Sequence, residues 1–391
     1  METVSIVKCD EYTPEKAERS LDDVLRPIGG LDWVRPGMKI AIKANLVSFM
    51  KPEAAATTHP TLLCALTRML RQRGASVVIG DSPGGLYTAA YVNRVYAATG
   101  MHETESAGAV LNANFAQSAA VFPEAAVARQ FQYTAYLDDV DAIINFCKLK
   151  THGMMGMSCA VKNMFGVIPG TMKPEYHFRF PNPEDFARML VDLNEYFKPQ
   201  LCIADAVIGM EGNGPTAGSP RKIGAVLACR SPYPLDLVCA ALIGLKREDV
   251  PTLQASFERG RIPATVDEVP VCGDWKSFCV ADYVKISNPN SLLFCGHSGP
   301  FERLRGRVLQ KLLDSYPDVQ PDECVGCGEC ARICPAKAIR MDKLPVIDRK
   351  TCIHCFCCQE FCPKGAMKVN RTAIARLLNR SKKADRTAPH R

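Results

Sequence analysis

Two cysteine-rich runs near the C-terminus constrain this chain more than any other feature. The first reads CVGCGECARICP from residue 324 and the second reads CIHCFCCQEFCP from residue 352, so both follow the pattern C-x2-C-x2-C-x3-C-P. Three cysteines at this spacing wrap three irons of a cubane within one tight loop, and the fourth iron takes its ligand from elsewhere. Zinc is the alternative metal for paired C-x2-C runs, but eight cysteines with both prolines fit iron–sulfur cubanes better.

The two runs resemble the bacterial two-cluster ferredoxins over about residues 320–370. The resemblance implies two 4Fe–4S clusters, in which the fourth cysteine of each run binds the other cluster. One cluster is assigned to Cys324, Cys327, Cys330 and Cys362, and the second to Cys334, Cys352, Cys355 and Cys358. Cys357 lies outside the spacing and is interpreted as a spectator thiol. Such oxygen-sensitive clusters transfer single electrons, which predicts a cytoplasmic protein from an anaerobic or microaerobic setting.

Charge and hydropathy exclude several classes of protein. The longest apolar stretch, residues 235–245, is too short to span a bilayer, and the N-terminus lacks the apolar core of a signal peptide. The formal charge of +7 equals the charge of residues 368–391, so the remaining chain sums to zero. We therefore expect no membrane, and the folded part does not favour nucleic acid. The basic tail is interpreted as solubilising, with contact to an acidic partner or RNA as the alternative.

Residues 1–300 alternate short apolar runs with amphipathic helical patterns. Strands are predicted at 4–9, 38–47, 75–81, 140–152, 201–209 and 222–230, with helices between them. This alternation predicts an α/β domain with a mostly parallel sheet and covering helices. The ten cysteines outside the two runs are predicted to be reduced and mostly buried. The predicted parts are the α/β domain at 1–300, a linker helix at 301–319, a small α+β ferredoxin-like domain at 320–370 and a basic tail at 371–391.

Polar residues collect where the predicted strands end, and this is the edge at which parallel sheets place their sites. The candidate ligand-binding residues at these ends are Lys43, Asn45, Asp81, Ser82, Gly84, Gly85, Lys148, Thr151, Asn163, Glu211 and Asn213. The run 81–85 is either a tight turn or a loop that presents N–H groups to an anion. The stretch 210–220 is either a cleft loop or an ordinary turn, and 175–183, with His177 and Arg179, is either a lid or a packed surface loop.

The stretch from Asn145 to Gly170 is the densest in chemically active side chains. Lysines here can bind a carboxylate or a phosphate, and His152 can act as a general acid or base because its unperturbed pKa is near neutral. We therefore predict that His152, Lys150 and Lys162 carry the chemistry of a site for a small anion.

At these residues the chain resembles domain-of-unknown-function family 362, which is often fused to a ferredoxin domain. The matching pieces are IKANLV, GDSPGG, NFCKLKTH, VKNMFG and MEGNGPTAG. The order of Lys150, His152, Gly153, Gly156, Lys162, Pro169 and Gly170 is also similar to the lactate racemase family. That second resemblance implies a histidine that moves a proton or hydride and a lysine that anchors a nickel cofactor.

These observations favour an oxidoreductase in which two clusters relay electrons between a small-anion site and a redox partner protein or electron carrier. An additional unknown cofactor in the α/β domain fits the same pattern. One alternative is a non-enzymatic electron-transfer or maturation partner. Another is a lactate-racemase-like isomerase whose clusters are structural.

Overall fold

The computed structural model describes residues 1–285 and 315–371. The predicted boundary near residue 300, most of the predicted linker helix and nearly all of the basic tail lie outside these ranges, as does Cys295. The last part of the predicted linker, Ser315–Val319, forms a strand instead of a helix, because it pairs with Met367–Arg371 across the C-terminal region.

The N-terminal part is built on one nine-stranded sheet. Its strands are β1 (Val4–Lys8), β2 (Lys39–Lys43), β3 (Ser76–Gly80), β4 (Ala109–Leu111), β7 (Ala142–His152), β8 (Gly156–Ser158), β9 (Leu201–Asn213), β10 (Ala217–Cys229) and β11 (Val271–Cys272). The order across the sheet is β11-β1-β10-β9-β7-β2-β3-β4, with β8 paired to β7. A separate hairpin consists of β5 (Gln117–Val121) and β6 (Gln130–Thr134).

The middle of the sheet is parallel, as the alternation of strands and helices predicts. Strands β9, β7, β2, β3 and β4 run in the same direction, so that their carboxyl ends meet at one edge. The pairs β1–β10, β10–β9 and β7–β8 are antiparallel. The predicted loop at 210–220 is therefore the tip of the long β9–β10 hairpin.

Helices cover both faces of this sheet. They are α1 (Pro14–Leu25), α2 (Pro60–Gln72), α3 (Ala89–Ala98), α4 (Ala160–Asn163), α5 (Lys173–Arg179), α6 (Pro183–Phe197), α7 (Pro232–Leu242) and α8 (Pro251–Glu258). Alternate residues of β2 enter different cores, since Ile40 and Ile42 pack on one face and Ala41 packs on the other. Gly74 follows α2 with φ +80°, the left-handed conformation that ends many helices.

The C-terminal region is small and carries the cysteine runs. Strand β12 (Ser315–Val319) pairs with β15 (Met367–Arg371), and β13 (Ile339–Asp342) pairs with β14 (Leu344–Ile347). Two short helices, α9 (Glu329–Ile333) and α10 (Cys357–Glu360), begin within the two runs. Among the described cysteines none forms a disulfide. Neither described range contains a helix with the length and apolarity needed to cross a bilayer.

Candidate functional site

A small cavity of about 50 Å³ lies at the carboxyl edge of the parallel strands, where the C-terminal region meets the sheet. Its walls come from Asn45, Val47, Gly84, Lys150, Ser158, Lys162, Asn163, Phe165, Gly166, Lys173, Pro215, Glu360 and Phe361. Five of these were predicted from the sequence: Asn45, Gly84, Lys150, Lys162 and Asn163. A space of this size holds a few water molecules or a ligand of comparable size.

One buried ion pair supports the floor of this cavity. The Lys43 ammonium lies 2.7 Å from Asp81 Oδ1 and donates to Asn163 Oδ1 at 3.3 Å. Asp81 Oδ2 accepts the Leu46 N–H at 2.8 Å. A Cβ added at Gly166 would lie 2.0 Å from Asp81 Oδ1, so only glycine lets the backbone approach this pair. Lys43 and Asp81 therefore position the wall rather than contact a ligand.

Three further lysines surround the cavity itself. Lys150 is completely buried, and its ammonium donates to Asn45 Oδ1 at 2.5 Å and to Ala56 O at 2.7 Å. Lys162 is 9% exposed, and Lys173 donates to the carbonyl of Ser82. Burial lowers the pKa of Lys150 to about 7 and that of Lys173 to about 8. Among the described residues at the cavity, the single carboxylate in the wall is Glu360, so the site favours an anion.

His152 ends β7 and is fully buried. Its Nδ1 accepts the backbone N–H groups of Met154 and Met155 at 3.1 and 3.2 Å. The neutral imidazole therefore carries its proton on Nε2, which lies 2.6 Å from Glu360 Oε1. Burial and the charge of Lys162 lower the pKa of His152 to about 4. Nε2 thus faces the Glu360 carboxylate, and His152 is not among the residues of the cavity wall. The acid–base role predicted for it stays a prediction.

Glu360 comes from the C-terminal region, between Cys358 and Cys362. Its carboxylate lies 3.9 Å from the Lys162 ammonium as well as beside His152. Burial opposes ionisation of Glu360, but the charge of Lys162 and the contact with His152 lower its pKa well below the usual range. The anion site is thus completed by a residue of the cysteine-rich region.

Helix α10 is held against the sheet domain by its neighbours. Gln359 Nε2 donates to Asn213 O at 2.9 Å, and Thr216 donates to Gln359 O at 3.3 Å. Phe356 is 3% exposed and packs into the core of the sheet domain. A Cβ added at Gly84 would lie 3.1 Å from the Phe361 ring, so this glycine admits the aromatic side chain into the wall.

Other predicted residues lie nearby but outside the cavity wall. Lys148 pairs with Asp205 at 2.9 Å and donates to the Tyr12 hydroxyl, and these contacts satisfy its amine within the sheet. Thr151 donates to the Met210 and Gly212 carbonyls of β9. Glu211 accepts the Val284 N–H. These side chains fix strands and turns.

The loop residues are also structural in their contacts. Ser82 Oγ accepts the Gly170 N–H at 2.7 Å, and Asn213 contributes its carbonyl to Gln359. Gly85 has φ +122°, and a Cβ there would meet the Tyr91 hydroxyl at 2.2 Å. The run 81–85 bends at 84–85, and of its five residues Gly84 lines the cavity.

Sequence reasoning missed Lys173, Glu360 and Phe361. The two cysteine runs held a usable signal for the last two, because they can be aligned with each other. Where the first run has Arg332 and Ile333, the second has Glu360 and Phe361. His177 belongs to α5 and is buried beside Phe186, so the run 175–183 is not a surface loop throughout.

One of the two cysteine sets implied by the ferredoxin resemblance lies around a single cavity. Cys324, Cys327, Cys330 and Cys362 line one cavity, which brings the fourth cysteine of the second run to the first. Cys355, Cys352, Cys330 and Cys334 all raise the pKa of the buried Cys358 thiol electrostatically, after burial itself, so cysteines of both runs lie around it. The Ala338 and Ala366 amides donate to Cys334 Sγ at 3.3 Å and to Cys362 Sγ at 3.2 Å. The cavity lined by the first set thus fits an iron–sulfur cluster, and the second cluster stays a prediction.

Known protein families match both the sheet domain and the cysteine-rich region. Residues 323–366 match the model of the 4Fe-4S dicluster domain, so an iron–sulfur domain is present. A thylakoid-associated protein of Synechocystis sp. is 28% identical over 274 residues, which cover 68% of this chain and 82% of that protein.

Among solved structures, the chain is similar to the lactate racemase apoprotein from Thermoanaerobacterium thermosaccharolyticum. The TM-score is 0.41 and the identity 12%, over 62% of this chain and 57% of the racemase. The model for the domain of unknown function DUF362 matches residues 40–241, just over half of the sequence. The chain belongs to the DUF362 family.

Proposed function

We propose that this protein is an oxidoreductase in which two 4Fe–4S clusters relay electrons to or from a small anion bound at the carboxyl edge of the sheet. The observation that supports it most is the position of Glu360 and Phe361. These residues lie between two cluster cysteines, Cys358 and Cys362, and at the same time form part of the cavity wall. One short segment therefore joins the iron–sulfur region to the anion site.

Each region has a distinct part in this proposal. The clusters held by the eight cysteines supply one-electron transfer. Lys162 and Lys173 attract and orient the anion, and His152 Nε2 lies against the Glu360 carboxylate of the wall. Phe361 and Pro215 are nonpolar parts of the cavity wall. Nonpolar surroundings of low dielectric constant strengthen electrostatic contacts.

The test uses the full chain, purified and reduced without oxygen. After excess reductant is removed, a low-molecular-weight fraction from cells is added, and the visible absorption of the clusters is followed. We expect a small molecule to re-oxidise the wild-type clusters. Lys162→Met should slow this reaction at limiting ligand by about ten- to hundredfold, because one charge-assisted contact is lost.

The matched control is Lys222→Met, which removes an exposed lysine of β10 and should react like the wild type. Iron and acid-labile sulfide should be equal in all three proteins, because neither lysine is a cluster ligand. Re-oxidation by protein carriers alone, with no small molecule active, would favour the non-enzymatic electron-transfer role and overturn the proposal.

A further inference from the structure

Lys150 differs from the other lysines buried beneath the sheet edge. Lys43 has the Asp81 carboxylate at 2.7 Å, and Lys148 has that of Asp205 at 2.9 Å. Within the described ranges, no carboxylate lies within 4 Å of the Lys150 amine, whose hydrogen-bond partners are the neutral oxygens of Asn45 and Ala56. A charge at Lys150 is therefore less compensated than a charge at either of the other two.

The two hydrogen bonds also determine which position of the Lys150 amine faces the cavity. A neutral amine has two N–H groups and one lone pair, and an ammonium has three N–H groups. Asn45 Oδ1 and Ala56 O take two of the positions in either state. The third position remains for the cavity that Lys150 lines, where it is a lone pair in the neutral form and a donor in the charged form.

While the cavity holds no anion, the surroundings of Lys150 favour its neutral amine over the ammonium. Burial has the largest effect, the positive charges of Lys162 and Lys148 add to it, and the negative charges of Glu360 and Asp81 oppose it. The other titratable side chains near the cavity are Lys43, Lys173, His152 and His177. An anion placed in the cavity adds negative charge next to the amine and favours the ammonium.

We propose that Lys150 takes up a proton from solvent when a small carboxylate enters the cavity, and is the group that exchanges a proton with the bound ligand. In the binding step the amine gains one proton and no other bond changes. Linkage then requires carboxylate binding to weaken as the pH rises above 7. The inference rests on the anion site of the proposed function but not on electron transfer.

The test is calorimetric titration of the anaerobic full chain with formate and with acetate. Each titration is repeated in two buffers of different ionisation enthalpy, because the difference between the heats gives the number of protons taken up. Between about pH 7 and pH 9 we expect net proton uptake and an affinity that falls by up to about tenfold per pH unit.

Three variants separate Lys150 from its neighbours. Lys150→Met should bind without most of the uptake, and Lys150→Arg should bind without uptake because its guanidinium is always charged. Lys173→Met removes another cavity lysine, whose pKa is about 8, so it should bind the carboxylate more weakly but keep most of the uptake per bound ligand. The matched control is Lys222→Met, which removes an exposed lysine outside the cavity and should keep the affinity and the uptake of the wild type. Melting curves of the variants check that each is folded.

Two results would overturn the inference. Proton uptake that persists in Lys150→Met but disappears in Lys173→Met would show that Lys173, and not Lys150, takes up the proton. Binding of neither probe by the wild type would remove the anion site and this inference together. Binding with normal proton uptake, but without re-oxidation of the clusters by any small molecule, would support the inference about Lys150 and overturn only the electron relay.

Discussion

Lys148 and Lys150 lie two residues apart on one buried strand, yet the fold gives them different surroundings. The sequence predicted both as site residues, Lys148 in ligand binding and Lys150 in the chemistry, because a lysine at the end of a parallel strand has the same pattern whether or not it is paired. The partner of Lys148 is Asp205, which the β7–β9 register places directly opposite it. The register between β7 and β9 depends on segments that are far apart in the chain. The local sequence therefore could not show which lysine is paired with a carboxylate.

At the same scale, Gly166 is the residue whose replacement should be least tolerated. A Cβ in Gly166→Ala would lie 2.0 Å from Asp81 Oδ1 and 2.4 Å from Lys43 Nζ, and would force this buried ion pair apart. We expect a loss of about 3 kcal/mol or more in the free energy of unfolding, measured by denaturant titration.

Ser158→Ala is the control for this substitution, because it removes one oxygen from the same cavity wall and adds no atom. It should unfold close to the wild-type midpoint. A Gly166→Ala protein as stable as Ser158→Ala would show that the wall yields easily and that the Lys43–Asp81 contact is not rigid.

Among the elements, six of the nine strands of the sheet were predicted, whereas the short strands β4, β8 and β11 and the C-terminal pairing were not. The predicted strand at 140–152 corresponds to Ala142–His152, because a long apolar run is specific for a buried parallel strand. Strand β12 was predicted as helix, since its pairing with β15 depends on a segment some fifty residues later in the chain. The cavity wall contributed by α10 was missed for the same reason.

Helix α10 allows a prediction about its two adjacent cysteines. Cys358→Ala should lose iron, or convert a cluster, because Cys358 is predicted to be a cluster ligand and four other predicted ligands surround it. Cys357→Ala should keep the iron and sulfide of the wild type, although its thiol is fully buried. Metal and sulfide analysis after anaerobic purification measures both.

Cys64→Ala, a buried thiol in α2, is the control for the loss of any buried sulfur. If Cys357→Ala and Cys358→Ala lost iron to the same extent, the ligand set taken from the spacing would be incorrect.

For the whole molecule, the iron–sulfur region acts as a cover over a sheet domain with its own core. Phe356 and Val369 are the described C-terminal residues that pack into the large core of the sheet domain. A chain of residues 1–285 should therefore still melt cooperatively, because nearly all of its described core contacts are internal.

Removal of the cover should change the reactivity of specific lysines. In the 1–285 chain we expect faster acylation of Lys162 and Lys150 than in the full chain, measured by mass spectrometry of peptides. Lys148 is the internal control, because its amine is held by Asp205 and Tyr12 beneath the sheet edge and should stay unreactive. Equal labelling of all three lysines would indicate that the sheet domain unfolds without the cover.

The two cysteine runs share positive φ angles at matching positions, but they differ in how deeply they are buried. Gly326 and Gly328 have positive φ in the first run, and His354 and Phe356 have positive φ at the matching positions of the second, where a side chain makes the conformation costly. The second run accepts this cost and places Phe356 against the sheet domain, while Cys327 of the first run remains exposed. Oxygen and chelators therefore meet the first run before the second, so inactivation of this protein in air should proceed from its outer iron site inward.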